Sequence, residues 1–266
     1  SSHVKTEVQV SPSRETPTSG IAVNDVPFRL ESLPADKRLE REYLLAAQKN
    51  TLPSSASVLC PVAPDLSSTA GFDFRAGLCP LVVFEISRLL KKYPCFNAFH
   101  NDGQVGYYQE VNIGFAVDRG NGLKVPVVRA ADGKDLPSLI REMHELVVAY
   151  VNNELTVQDL TGATFTVSDL STTDVVSFQP LINRGQSAIL GVCRFPSAGL
   201  SESYVKLELT FDHQLANGNM AAGLLADLAQ RLGHYLQVSE NQRTIIKCLR
   251  CQRTELDLQP VEAVLL

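Results

Sequence analysis

Residues 204–218 read YVKLELTFDHQLANG. Val205, Leu207, Leu209 and Phe211 alternate with Lys206, Glu208 and Thr210, the period-two pattern of a strand with one buried face. The strand delivers Asp212 and His213 at its end, and a polar turn leads into 220–237. There Leu224, Leu225, Leu228, Leu232, Tyr235 and Leu236 recur at helical spacing. Outward from this unit, 36–50 reads as a helix with Leu39, Tyr43, Leu44 and Ala47 on one stripe and Asp36 as its N-cap. A second helix covers 81–93, with Val82, Val83, Ile86, Leu89 and Leu90 inward, and a third 136–152, with Leu139, Ile140, Met143, Leu146, Val147 and Tyr150. Strand-like stretches fall at 105–109 and 111–117. A turn at 119–122 leads into 123–128, and short apolar strands follow at 164–167 and 188–193. Strands and helices mix without a βαβ rhythm and without a glycine-rich phosphate loop. The fold expected is an α/β two-layer sandwich, a mixed sheet with helices packed on it.

The 266 residues are 44% apolar and 20% charged, with a net charge of −5. That balance excludes a collagen, a coiled-coil rod and a wholly disordered chain. No run approaches the ~18–20 apolar residues that span a bilayer, and no basic footprint offers itself to nucleic acid. Neither a membrane nor a nucleic-acid partner is expected. Residues 1–25, rich in Ser, Thr, Pro and Glu, read as a tail or linker; 26–240 read as the folded domain and 241–266 as a C-terminal extension. The six cysteines read as reduced thiols of an intracellular, cytoplasmic protein. The chain opens on Ser1 without a Met, which leaves room for a removed targeting segment and a mitochondrial or plastid location. Cys248 and Cys251 make half a zinc site with no second pair nearby, so no metal is expected and they read as thiols on a packing tail. Val261 to Leu266 is apolar and suits docking on a neighbouring subunit.

Two segments carry candidate chemistry. His213 stands where a strand gives way to a turn, and a neutral imidazole is a natural base near pH 7; the plainer alternative is a capping or core histidine. Ser168 ends the strand in TFTVSDL (164–170), where its hydroxyl can donate to a developing oxyanion; alternatively it opens a Ser-Asp turn. A Ser–His nucleophile pair is disfavoured, because no G-x-S-x-G elbow surrounds the serine. Asn217 either orients the turn or assists near the oxyanion, and Asp212 reads as organising the turn.

Five segments in order give a resemblance: PCFNA (94–98), NIGFAVDRGNGLKVPVVRAAD (112–132), DLTGATFTVSDL (159–170), PLINRGQSAILGV (180–192) and FDHQLANG (211–218). Together they resemble the catalytic domain of the dihydrolipoamide acyltransferases of 2-oxo acid dehydrogenase complexes, in the chloramphenicol acetyltransferase-like superfamily. The likeness spans roughly residues 80–240. It implies that His213 takes the proton of the coenzyme A thiol, that Ser168 hydrogen-bonds the tetrahedral oxyanion, and that Asn217 falls at a site position. It further implies coenzyme A as substrate, a lipoyl group on a separate domain or protein as acyl carrier, and a homotrimer, possibly within a larger core, with the site between subunits. The 45 residues from Ser168 to His213 allow a site within one chain equally well.

The chain departs from the family pattern at Gln214, where relatives have Arg, and at Ser171-Thr172, where they usually have Gly. Both bear on substrate preference. The tail before residue 26 can hold neither a lipoyl nor a partner-binding domain. Either the sequence is a piece of a longer protein, or it is a stand-alone acyltransferase of secondary metabolism acting on a phosphopantetheine carrier or small acceptor; an inactive trimeric scaffold is a third reading, against which an intact His213, Ser168 and Asn217 argue.

Overall fold

The computed structural model describes residues 29–62, 74–118, 120, 122–196 and 203–236. The expected tail and the whole expected extension, with the Cys248–Cys251 pair and the apolar C-terminus, lie outside these residues. The decisive strand is β8, Ser203–Asp212. Val205, Leu207, Leu209 and Phe211 are all at or below 1% exposure, as the alternation requires. On one side β8 pairs antiparallel with β1 (Pro53–Val62), from Pro53↔Asp212 to Val62↔Ser203. On the other it pairs antiparallel with β7 (Ala188–Pro196). Then β6 (Phe165–Asp169) joins β7 in parallel, β4 (Ile113–Phe115) joins β6 in parallel, and β5 (Val127–Val128) closes on β4 antiparallel. The sheet is therefore mixed and six-stranded, in the order β1-β8-β7-β6-β4-β5. A separate hairpin holds β2 (Ala98–Asn101) and β3 (Gln104–Tyr107).

One face of the sheet carries the helices. Helix α2 (Phe74–Lys92) buries Val82, Val83, Ile86, Leu89 and Leu90; α3 (Leu136–Val151) buries Leu139, Met143 and Tyr150. Helix α4 (Gly218–Leu236) buries Leu224, Leu225, Leu228, Leu232 and Leu236. Each of these leucines stabilises the packed state by about 1.5–3 kcal/mol of gross transfer free energy. Asp135 caps α3 by accepting from the Ser138 N–H at 2.9 Å. Three motif residues of 94–132, Asn97, Asn112 and Gly114, support the backbone. Asn97 Nδ2 donates to Glu110 O at 3.0 Å, and Asn112 Oδ1 accepts at 2.8 Å from Ala130, whose φ of 43° needs that support. Gly114 is required for packing: a Cβ there would stand 2.8 Å from Val125 Cγ1.

The first helix departs from expectation. Helix α1 is Ala35–Gln48 with Pro34 at the N-cap and no side-chain cap, so Asp36 lies in its first turn. Of its predicted inward stripe Ala47 is buried, whereas Leu39 is 68% and Tyr43 46% exposed. This helix lies at the margin of the chain's own core. No described helix is long and apolar enough to cross a membrane, and the four described cysteines, Cys60, Cys79, Cys95 and Cys193, are free thiols.

Candidate active site

The His213 turn is built around a buried carboxylate. Asp212 is 2% exposed, and its Oδ1 accepts from Leu52 N at 3.1 Å, Gln214 N at 3.0 Å and Gln214 Nε2 at 3.1 Å. Oδ2 accepts from the same Nε2 at 3.2 Å. The His213 N–H donates to Leu52 O at 2.8 Å, while Leu215 N and Ala216 N close onto Asp212 O at 3.0 and 3.1 Å. The backbone of His213 is thus held from both sides while its side chain is exposed. The imidazole packs at 5.9 Å, centroid to centroid, on Phe211, which meets Phe96 edge-on at 6.1 Å. Asp212 therefore organises the turn, as its place in the sequence suggested.

Asn217 caps α4: its Oδ1 accepts the Met220 N–H at 3.1 Å. Its side chain is exposed, and no bond occupies Nδ2 among the described residues. Gln214 does not reach out in place of the family arginine. Its amide turns back onto Asp212 and donates to Asn50 O at 2.8 Å. It also lines a polar cleft of about 290 Å³, together with Lys49, Asn50, His100 and Asp102.

Ser168 lies in β6, paired with Gly191 of β7, on the face opposite Val167 and hence opposite the helices. It is partly buried and makes no side-chain hydrogen bond to a described residue. Gly191 leaves a gap beside it that the Phe178 ring enters: a Cβ on Gly191 would meet Phe178 Cζ at 3.0 Å. The next residue, Asp169, points to the helix side and accepts the Ser171 N–H at 2.8 Å. Burial pushes its carboxyl above the ordinary range, against the pull of that bond. The Cys79 thiol is held well above its ordinary value, first by burial and then by the charge of Asp169.

The structure does not bring Ser168 and His213 together within one chain. Asp212 N donates to Ser187 O, so His213 falls level with Gln186 and, through the β6–β7 register, with Ala163, five residues short of Ser168. At about 3.3 Å per residue along a strand and about 4.8 Å between strands, their Cα atoms stand roughly 19 Å apart. This register holds Ser168 and His213 of one chain apart. Two groups were not singled out from the sequence. The Gln214–Asn50 bond is one. The other joins Thr166 Oγ1 to Gln186 Oε1 at 2.8 Å and Asn183 Nδ2 at 3.0 Å, with Gln186 Nε2 on Ala163 O. Both link polar residues far apart in sequence, so only the register reveals them.

The family model for the 2-oxoacid dehydrogenases acyltransferase catalytic domain matches residues 63–239. The dihydrolipoyllysine-residue acetyltransferase component of the pyruvate dehydrogenase complex of Staphylococcus aureus is 30% identical over an alignment of 229 residues that covers 77% of this chain and 52% of that protein. This chain thus spans about half the length of the curated relatives it matches. One similar solved structure is the dihydrolipoamide acetyltransferase of Azotobacter vinelandii, determined to establish the role of a serine, a histidine and an asparagine in its catalytic mechanism. It is 25% identical, with a TM-score of 0.67 and coverage of 81% of this chain and 100% of that one. Another is the cubic core of the pyruvate dehydrogenase multienzyme complex, 26% identical, also with a TM-score of 0.67 over 81% and 100% of the two chains. The chain belongs to the family of 2-oxoacid dehydrogenase acyltransferase catalytic domains.

Proposed function

We propose that the chain moves an acyl group between coenzyme A and a dihydrolipoyl thiol, with His213 as general base and Ser168 as oxyanion donor, the two supplied by neighbouring copies in a trimer. The observation that carries this reading is the His213 turn: a backbone pinned at Leu52 and Asp212, presenting an exposed imidazole with no described hydrogen-bond partner. The histidine and asparagine named for the Azotobacter vinelandii enzyme are four positions apart, as are His213 and Asn217.

A thiol with a pKa of about 8.5 is mostly protonated at pH 7, so a positioned base raises the nucleophile's concentration at the reacting carbon. His213 accepts the thiol proton as the sulfur forms a bond to the thioester carbonyl carbon. The carbonyl oxygen becomes an oxyanion and accepts a hydrogen bond from the Ser168 hydroxyl, which keeps its proton. Collapse breaks the other carbon–sulfur bond, and the His213 imidazolium gives the departing thiolate the proton it took from the attacking thiol. No covalent enzyme intermediate is needed. Holding both thiol carriers in one channel supplies the entropic part of the rate. Asn217 caps α4 through Oδ1 and keeps Nδ2 free to donate near the same developing charge.

The test is acyl transfer from acetyl-coenzyme A to free dihydrolipoamide, run beside a panel of phosphopantetheine carriers and small acceptors. Turnover with dihydrolipoamide is the expected result. Turnover with only the other acceptors would replace the carrier, and none with any acceptor would leave the scaffold reading.

A further inference from the structure

We propose that Gln214 is a positioning residue for His213, its side-chain amide clamping the histidine turn to the connection between α1 and β1. The proposal rests on the reading of His213 as the base. The need for a clamp arises in the ladder. The β1–β8 pairing ends at Pro53↔Asp212, and proline has no N–H to carry it further. Beyond that point the two segments are joined by His213 N to Leu52 O and by Leu52 N to Asp212 Oδ1. Gln214 completes the closure. Its Nε2 reaches Asn50 O at 2.8 Å and the two Asp212 oxygens at 3.1 and 3.2 Å, so both amide protons are engaged. Residues 50–52 and 212–214, some 160 positions apart, thereby form one hydrogen-bonded ring with His213 on its rim.

The chemistry of Asp212 makes this bond matter. A buried carboxylate needs donors on both oxygens, and the described donor to Oδ2 is the Gln214 amide. Without it the carboxylate draws water or rotates, and the Leu52 and Gln214 backbone bonds to Oδ1 are disturbed. The His213 main chain, fixed through Leu52, then loses its register. A base displaced by about 1 Å forfeits much of its rate advantage while substrate binding elsewhere is unaffected.

The experiment compares wild type, Gln214→Ala and Gln214→Arg as the full chain. It measures kcat and KM for coenzyme A, amide exchange at Leu52 and His213, and the rate at which diethyl pyrocarbonate modifies His213. For Gln214→Ala we expect kcat to fall about tenfold with KM within about twofold. Exchange at the two amides should rise about tenfold while α2 exchange holds, and the modification rate should change by more than about threefold. Gln214→Arg, which restores donors to Asp212, should recover kcat to within about threefold. Unchanged exchange and modification in Gln214→Ala would overturn the clamp, and changed exchange with unaltered kcat would overturn the positioning role. If wild type transfers no acyl group, the reading of His213 as base fails, and the exchange and modification rates still decide whether Gln214 holds the turn.

Discussion

Ser168 and His213 of one chain stand on strands separated by β7 and at different levels of the sheet, roughly 19 Å apart between Cα atoms. The base must reach the attacking thiol and the donor the carbonyl oxygen, each within about 3 Å, while thiol and carbonyl are in contact. Each copy therefore offers half of the proposed site, His213 beside the α1–β1 connection and Ser168 on the open face of the sheet. The proposed assembly is what joins the halves.

His213→Ala should remove the base while leaving the turn intact, because the bonds that hold the turn are made by backbone atoms and by the Asp212 and Gln214 side chains. Turnover should drop by about 10²–10⁴-fold with an unchanged oligomer by sedimentation. Unaltered turnover in that variant would move the chemistry elsewhere.

Ser168→Ala removes a hydroxyl with no described hydrogen-bond partner in the free chain, so folding should be unaffected. The loss should appear in kcat, by about 10²–10³-fold, with coenzyme A affinity retained, since the bond forms only as the oxyanion develops. A fall in affinity alone, measured by equilibrium binding, would contradict the oxyanion role.

Asn217 has two functions that a conservative change separates. Ser at this position keeps a cap for α4 and loses the free Nδ2 donor. Asn217→Ser should hold thermal stability to within about 0.5 kcal/mol and lower kcat about tenfold. Full kcat would reduce Asn217 to a cap.

How far the sequence led is seen at particular residues. The alternation in 204–211 and the leucines of 224–236 announce β8 and α4, because each pattern has one buried face and the chain's own core covers it. Strand β1 escapes detection. Its inward Ala56, Val58 and Cys60 are small or interrupted by Ser55 and Ser57, and Pro53 and Pro61 punctuate it as if it were a loop. Leu39 and Tyr43 show the opposite failure, since periodicity finds an apolar stripe without saying which molecule covers it. The local patterns placed Ser168 on a short strand and His213 at the end of another, and both lie there. The distance between them depends on strand order and register, which no local pattern contains.

Asp169 gives a pH signature. Its carboxyl is raised in the folded chain by burial, so the native state disfavours the charged form. That penalty is absent below the unfolded value near 3.9, grows as pH rises toward the folded pKa and is complete above it. Asp169→Asn keeps an acceptor for Ser171 N–H and removes the charge. It should raise the unfolding midpoint at pH 7, with a gain that vanishes below about pH 4. A gain independent of pH, or a loss at pH 7, would assign the carboxylate a stabilising partner instead.

The most direct test of the shared site mixes two crippled chains. His213→Ala still carries Ser168, and Ser168→Ala still carries His213. Co-refolding equal amounts should create interfaces that pair an intact His213 with an intact Ser168, about a quarter of all sites if chains assort at random in a ring. Turnover of the mixture should rise to roughly a quarter of wild type, far above either variant alone. A mixture no more active than its better component, with mixed assembly verified by mass spectrometry, would contradict a site built from His213 of one copy and Ser168 of the next.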